Sequence, residues 1–317
     1  MGNFLKSLFS SSGTAAQTKK EQKDFDVFKY DGLRAMRIGQ VRYAVKCYEE
    51  ALKIKEDKEV LQFLAAAYAS LNETDEALRV IARFVESEPD DIPMRLMRAS
   101  LFFQMAREQE AIDECLRVIA IDAAQPAAWF LMGRAKRNCK DPDGAIADLT
   151  QAITLKDDYA DAYLLRGEIL FEAHQAEKAL LDAGTLIALL PEDEAAYLLR
   201  GRIREHLGDM AAAADDYNKV VHLNPFNEDA SLASALLLIK AEKPDAAIAL
   251  FDELLELNPD LAQAYRGRAM AKRLKGDEKA ALEDDSRANE LDAAEKETTA
   301  PETKPTNFNE IYKGGIY

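Results

Sequence analysis

The chain has 317 residues, 48% of them apolar and 31% charged, and 41 Lys+Arg against 57 Asp+Glu leave a net charge of −16. That balance is ordinary for a folded protein, but it repels phosphate backbones, so nucleic acid is not expected as a partner. With only 14 Gly and 10 Pro over this length, helices are favoured over loop-rich β structure. The three cysteines, Cys47, Cys115 and Cys139, form no CxxC pair, which points to reduced thiols and a cytoplasmic setting rather than a disulfide framework or a zinc knuckle.

In chain order, residues 1–24 read as a flexible N-terminal segment. The short apolar stretch is broken by Lys6, so it does not resemble a signal peptide, and Lys6 stands where a myristoylation motif needs Ser or Thr. Phe4, Leu5, Leu8 and Phe9 share a face if helical. That would support at most a weak membrane-surface contact. No apolar run approaches the roughly 18 residues of a spanning helix.

From residue 25 onward the sequence is periodic. Ala44 is followed after 33 residues by Ala77, and then every 34 residues by Ala111, Ala145, Ala179, Ala213, Ala247 and Ala281. Twelve residues before each of these stands another small residue: Gly32, Ala65, Ala99, Gly133, Gly167, Gly201, Ala235 and Ala269. Four earlier again is a largely aromatic row, Phe28, Trp129, Tyr163, Tyr197 and Tyr265, with Leu61, Arg95 and Ser231 as exceptions. Proline recurs at Pro89, Pro191, Pro225 and Pro259. Each unit thus predicts two amphipathic helices separated by a turn, which carries Gly39, Asn72, Gly208 or Gly276. The small positions are expected where paired helices cross, and the prolines where the second helix ends. Regular breaks at the turns argue against a coiled coil.

This pattern resembles the tetratricopeptide repeat (TPR) family. Repeat four places Trp129, Met132, Gly133, Ala145 and Ala152 at the family's spacing, and repeat six does so with Tyr197, Gly201, Ala213, Tyr217 and Pro225. Eight repeats are expected, at 25–57, 58–91, 92–125, 126–159, 160–193, 194–227, 228–261 and 262–295. Ser231 and Ser234 weaken the packing set of repeat seven, and Gly184 softens the second helix of repeat five. The resemblance implies an all-α, right-handed superhelical solenoid whose concave wall collects the first helix of each pair. Applied by register, it implies a partner-binding groove lined by Leu96, Phe103, Phe130, Leu164, Phe171, Leu198, Leu232, Leu236 and Ile239, interrupted by Arg134, Arg137 and Arg202. The same rows carry Lys29, Arg266 and Arg273 nearer the ends. Such a strip suits an extended or helical peptide with hydrophobic anchors and some acidic groups. One TPR subclass grips chaperone C-termini with Lys and Asn four residues apart; here Lys29 is followed by Leu33, which disfavours that partner.

Residues 296–317 read as a Thr/Pro-rich linker ending in FNEIYKGGIY, either a loose end or a short motif built on Phe308, Ile311, Tyr312, Ile316 and Tyr317. Catalytic chemistry is not expected. His174, His206 and His222 read as surface residues, no phosphate loop, GxSxG or HExxH motif is present, and Glu283, Asp284 and Asp285 read as a solvated face. No cofactor and no metal are implied. The expected function is a non-catalytic scaffold or adaptor for a protein or peptide partner. The alternatives are a holdase-like chaperone or co-chaperone shielding apolar client segments, and a regulatory subunit of an enzyme complex.

Overall fold

The computed structural model describes residues 2–299, with side chains over 17–294. Among the described residues all regular structure is α-helical, and the chain divides after Thr185 into two units. The first holds α1 (Gly2–Arg37), α2 (Val41–Ile54), α3 (Lys58–Ser70), α4 (Thr74–Ser87), α5 (Ile92–Gln104), α6 (Glu108–Ile121), α7 (Pro126–Asn138), α8 (Pro142–Leu155), α9 (Ala160–Glu172) and most of α10 (Ala176–Leu189). The second, from Leu186, holds α11 (Glu194–His206), α12 (Met210–Leu223), α13 (Glu228–Lys240), α14 (Pro244–Leu257), α15 (Ala262–Leu274) and α16 (Glu278–Thr299). No helix among the described residues is long and apolar enough to cross a membrane.

Consecutive helices pack as hairpins, and the periodic residues explain why. All eight alanines from Ala44 to Ala281 are fully buried. The small residue on the facing helix lets the backbones approach: a methyl group added at Gly201 would lie 2.5 Å from the Tyr217 ring, and one at Gly133 would lie 2.8 Å from Leu149. Tyr217 and Phe251 are fully buried against such small partners. Burial of an aromatic side chain of this size stabilises the fold by roughly 1.5–3 kcal/mol.

Helix ends follow local chemistry. The Asp193 carboxylate accepts the Ala196 N–H at 2.8 Å, and the Asn227 side chain accepts that of Ala230 at 3.0 Å, each capping a first helix. Each hairpin turn needs one residue at positive φ. Gly39, Gly208 and Gly276 fill that position freely and Asn72 tolerates it, whereas Ala106, Lys140, His174 and Glu242 adopt the same conformation at steric cost. The prolines at 89, 191, 225 and 259 each lie two residues beyond a second helix.

A ladder of buried ion pairs joins the two helices of most hairpins. Arg166 binds Asp182 through Nε at 2.8 Å and Nη2 at 2.7 Å; Arg200 binds Asp216, and Arg268 binds Asp284, with the same two-pronged geometry. Glu114 occupies the equivalent place between Arg95 and Arg98. These acids are at most 5% exposed. Asp284 is therefore not part of a solvated face: it is buried and held by Arg268 and Lys272. Burial raises its carboxyl pKa, but the two cations outweigh burial and leave it below the ordinary value. Asp148 lacks the arginine because Met132 replaces it. Burial pushes its carboxyl up further than Lys136, 2.7 Å away, pulls it down.

α1 runs unbroken from Gly2 to Arg37, so it begins well before residue 25, where the repeat pattern starts. Its stretch QTKKEQKD consists largely of good helix formers and ends on Phe25, which is buried in the core. α10 runs through Gly184 unbroken. The aromatic C-terminal motif and the side chains of Phe4, Leu5, Leu8 and Phe9 lie outside the described residues.

Candidate functional site

First helices of neighbouring hairpins touch one another in both units, as α1 with α3, α5 with α7 and α7 with α9, and as α13 with α15. No pair of neighbouring second helices packs as closely among the described residues, so the first helices line the inner wall of each unit. The apolar candidates on this wall, Leu96, Phe103, Phe130, Leu164, Phe171, Leu198, Leu232, Leu236 and Ile239, are all half-buried, in contrast to the sealed alanines of the crossings.

In unit 1, Leu96 and Phe103 of α5 and Phe130 of α7 rest their inner edges on the core. The Arg134 guanidinium lies over the Phe103 ring at 4.4 Å and near that of Phe130 at 5.6 Å. Phe130 continues onto Tyr159, with ring centroids 4.9 Å apart at a tilt of 39°. At exposed sites such cation–π contacts contribute roughly 0.5–1 kcal/mol each. Half-buried Leu164 and Phe171 extend the surface along α9. Arg137 does not share this role, because it donates to Glu168 at 2.7 Å and Glu172 at 2.6 Å.

In unit 2, Leu198 packs against the cluster of Ala213, Tyr217 and Leu237, while Leu232, Leu236 and Ile239 pack around Phe251. Arg202 is paired with Asp229 at 2.9 Å, and Lys240 with Glu205 at 2.6 Å. Sequence position thus places the arginines on the wall but does not reveal that Arg137 and Arg202 are already neutralised. Nor does the periodic pattern single out Tyr159 or Glu172. A usable signal for Tyr159 is its place just before a first helix, where Asp91, Asp193 and Asn227 serve as caps.

Reactive groups are scarce. Burial pushes the Cys115 thiol up to about 12 and also raises that of Cys47, which makes both poor nucleophiles. His174, His206 and His222 are exposed. Among the described residues no group of three or more His, Cys, Asp or Glu side chains is placed to hold a metal ion.

The family model for the tetratricopeptide repeat matches residues 130–188, 173–228 and 232–295, over half of the chain. The chain belongs to the tetratricopeptide repeat family. Repeats one to three fall before the matched stretch, yet α1–α6 form the same hairpins as the repeats within it. Solved structures of similar fold include the C-terminal part of a TPR repeat-containing protein from Cytophaga hutchinsonii, with 16% identity, 76% of this chain and 98% of that one covered, and a TM-score of 0.64. A TPR protein from Parabacteroides merdae aligns at 13% identity over 78% of this chain and 99% of its own, with a TM-score of 0.59. YrrB, described as a TPR protein with an unusual peptide-binding site, aligns at 17% identity over 58% of this chain and 95% of its own, with a TM-score of 0.52. At these identities the likeness concerns the fold. A comparison with curated proteins finds no match.

Proposed function

We propose that this TPR chain is a non-catalytic scaffold or adaptor that holds a polypeptide partner against its first helices, chiefly α5, α7 and α9. The observation that carries the reading is the part-exposed run of Leu96, Phe103, Phe130, Leu164 and Phe171 on the inner wall of unit 1. Crossing positions in the same hairpins are closed completely by alanine, so these large side chains leave apolar surface that folding alone has not covered. In unit 2 the face of Leu198, Arg202, Leu232, Leu236 and Ile239 gives a second surface of the same kind. The peptide-binding site described for YrrB, a protein of the same fold, supports the reading. A cytoplasmic location belongs to this proposal, in keeping with Cys47, Cys115 and Cys139 as free thiols.

Replacing Phe130, Leu164 and Arg134 together by alanine should abolish capture of partners from native lysate while circular dichroism stays helical. Unchanged capture would place the binding surface elsewhere. Retention of one or two partners marks an adaptor or a regulatory subunit, whereas protection of unrelated unfolding clients from aggregation would mark a holdase.

A further inference from the structure

Six cations lie on the inner-wall rows of the two units, and five have carboxylate partners within their own unit. Lys29 is held by Asp57 and Glu59, Arg137 by Glu168 and Glu172, Arg202 by Asp229, Arg266 by Asp292, and Arg273 by Asp285 and Glu278. Arg134 is the exception: among the described residues no carboxylate pairs with it, and it is exposed. In a chain of net charge −16 an unpaired guanidinium on an otherwise neutralised wall is a singular feature.

Its surroundings explain how it stays available. Phe103 and Phe130 engage the guanidinium through their ring faces. Stacking of this kind fixes the plane of the group and leaves its in-plane N–H donors free. The nearby acids do not compete, because Glu168 and Glu172 are occupied by Arg137. We infer that Phe103, Arg134, Phe130 and Tyr159 form the specificity point of unit 1, where a partner segment places an Asp or Glu carboxylate on Arg134 beside large apolar side chains on the rings. The inference rests on the proposed function and deepens it by naming what the wall reads. A carboxylate on a pre-oriented guanidinium makes two parallel charge-assisted hydrogen bonds, which an amide of the same shape does not reproduce. The apolar rim around the pair lowers the local dielectric and strengthens it.

The test uses the full chain and three capped, fluorescein-labelled twelve-residue peptides of Leu, Phe and Gln that differ only in a central Asp, Asn or Lys. Anisotropy gives affinity, and emission of Trp129, the single tryptophan, which neighbours Phe130, reports where the peptide sits. The Asp peptide should bind about tenfold tighter than the Asn peptide, with the Lys peptide weakest. The Asp advantage should shrink in 0.5 M salt, vanish in Arg134→Gln and survive only in part in Arg134→Lys, which keeps the charge but not the planar fork. Unchanged helicity of both variants secures the comparison. Equal binding of the Asp and Asn peptides, or an Asp preference that persists in Arg134→Gln, overturns the inference. If that equal binding is still lost on joint Phe130→Ala and Leu164→Ala substitution, the peptide-holding face stands and only the carboxylate preference falls. If no peptide binds, both fall.

Discussion

Two successive hairpins of unit 2 share a backbone plan but differ in what lies between their helices. In α11–α12, Arg200 and Arg204 converge on Asp216, which is 2% exposed. In α13–α14, Ser234 stands in place of the arginine and Leu250 in place of the acid, and the buried Ser234 Oγ has no hydrogen-bond partner. Both hairpins close on a fully buried alanine, Ala213 or Ala247, and on a fully buried ring, Tyr217 or Phe251. What these two hairpins share is therefore the crossing and the ring. The ion pair is a substituent that can be exchanged as a whole but not by halves, because one buried charge without its partner costs far more than neither.

The largest effect should come from breaking the pair in one hairpin. Asp216→Leu leaves Arg200 and Arg204 without their shared acid and should destabilise unit 2 by about 3 kcal/mol in urea unfolding. Adding Arg200→Ser and Arg204→Leu completes the α13–α14 arrangement, where Ser234 and Leu238 stand at those places, and should lose less than the single change. A triple variant less stable than the single one would show that the two hairpins are not interchangeable. Next comes the feature they share: Ala213→Leu and Ala247→Leu should each cost about 1–3 kcal/mol through overpacking, and to similar extents. Loss at one site only would break the equivalence of the crossings. The smallest effect concerns the turns. Gly208 ends α11–α12's first helix at φ +87° without strain, while Glu242 holds φ +57° after α13. Glu242→Gly should therefore stabilise by about 1 kcal/mol, seen as a raised unfolding midpoint, whereas Gly208→Glu should do the reverse.

These contrasts also mark how far sequence reasoning reaches. The hairpins were legible because burial at a helix crossing admits only small side chains, so Ala77 and its successors recur whatever surrounds them. The ion-pair ladder left a trace as regular, with Arg98, Arg166, Arg200 and Arg268 each sixteen residues before an acid. It was hard to read because charged residues normally lie in water, and the two partners are on different helices. That is why Asp284, flanked by Glu283 and Asp285, looked solvated. The strained turns at Ala106, Lys140, His174 and Glu242 were illegible for another reason: the hairpin imposes their backbone conformation against local preference. At the candidate site, register located Phe103, Phe130 and Arg134 on one wall. Their stacking, and the loss of Arg137 and Arg202 to internal acids, depend on side-chain directions that spacing does not encode.

The most direct measurement compares two surfaces of unit 1 in the same capture assay. One variant carries the triple change at Phe130, Leu164 and Arg134 on the first helices. The other carries Leu116→Gln and Leu181→Gln on second helices, where both leucines are half or more exposed, at 50% and 71%. The first-helix variant should lose the captured partner and the second-helix variant should retain it in full. Retention by the first-helix variant with loss by the other would contradict the account.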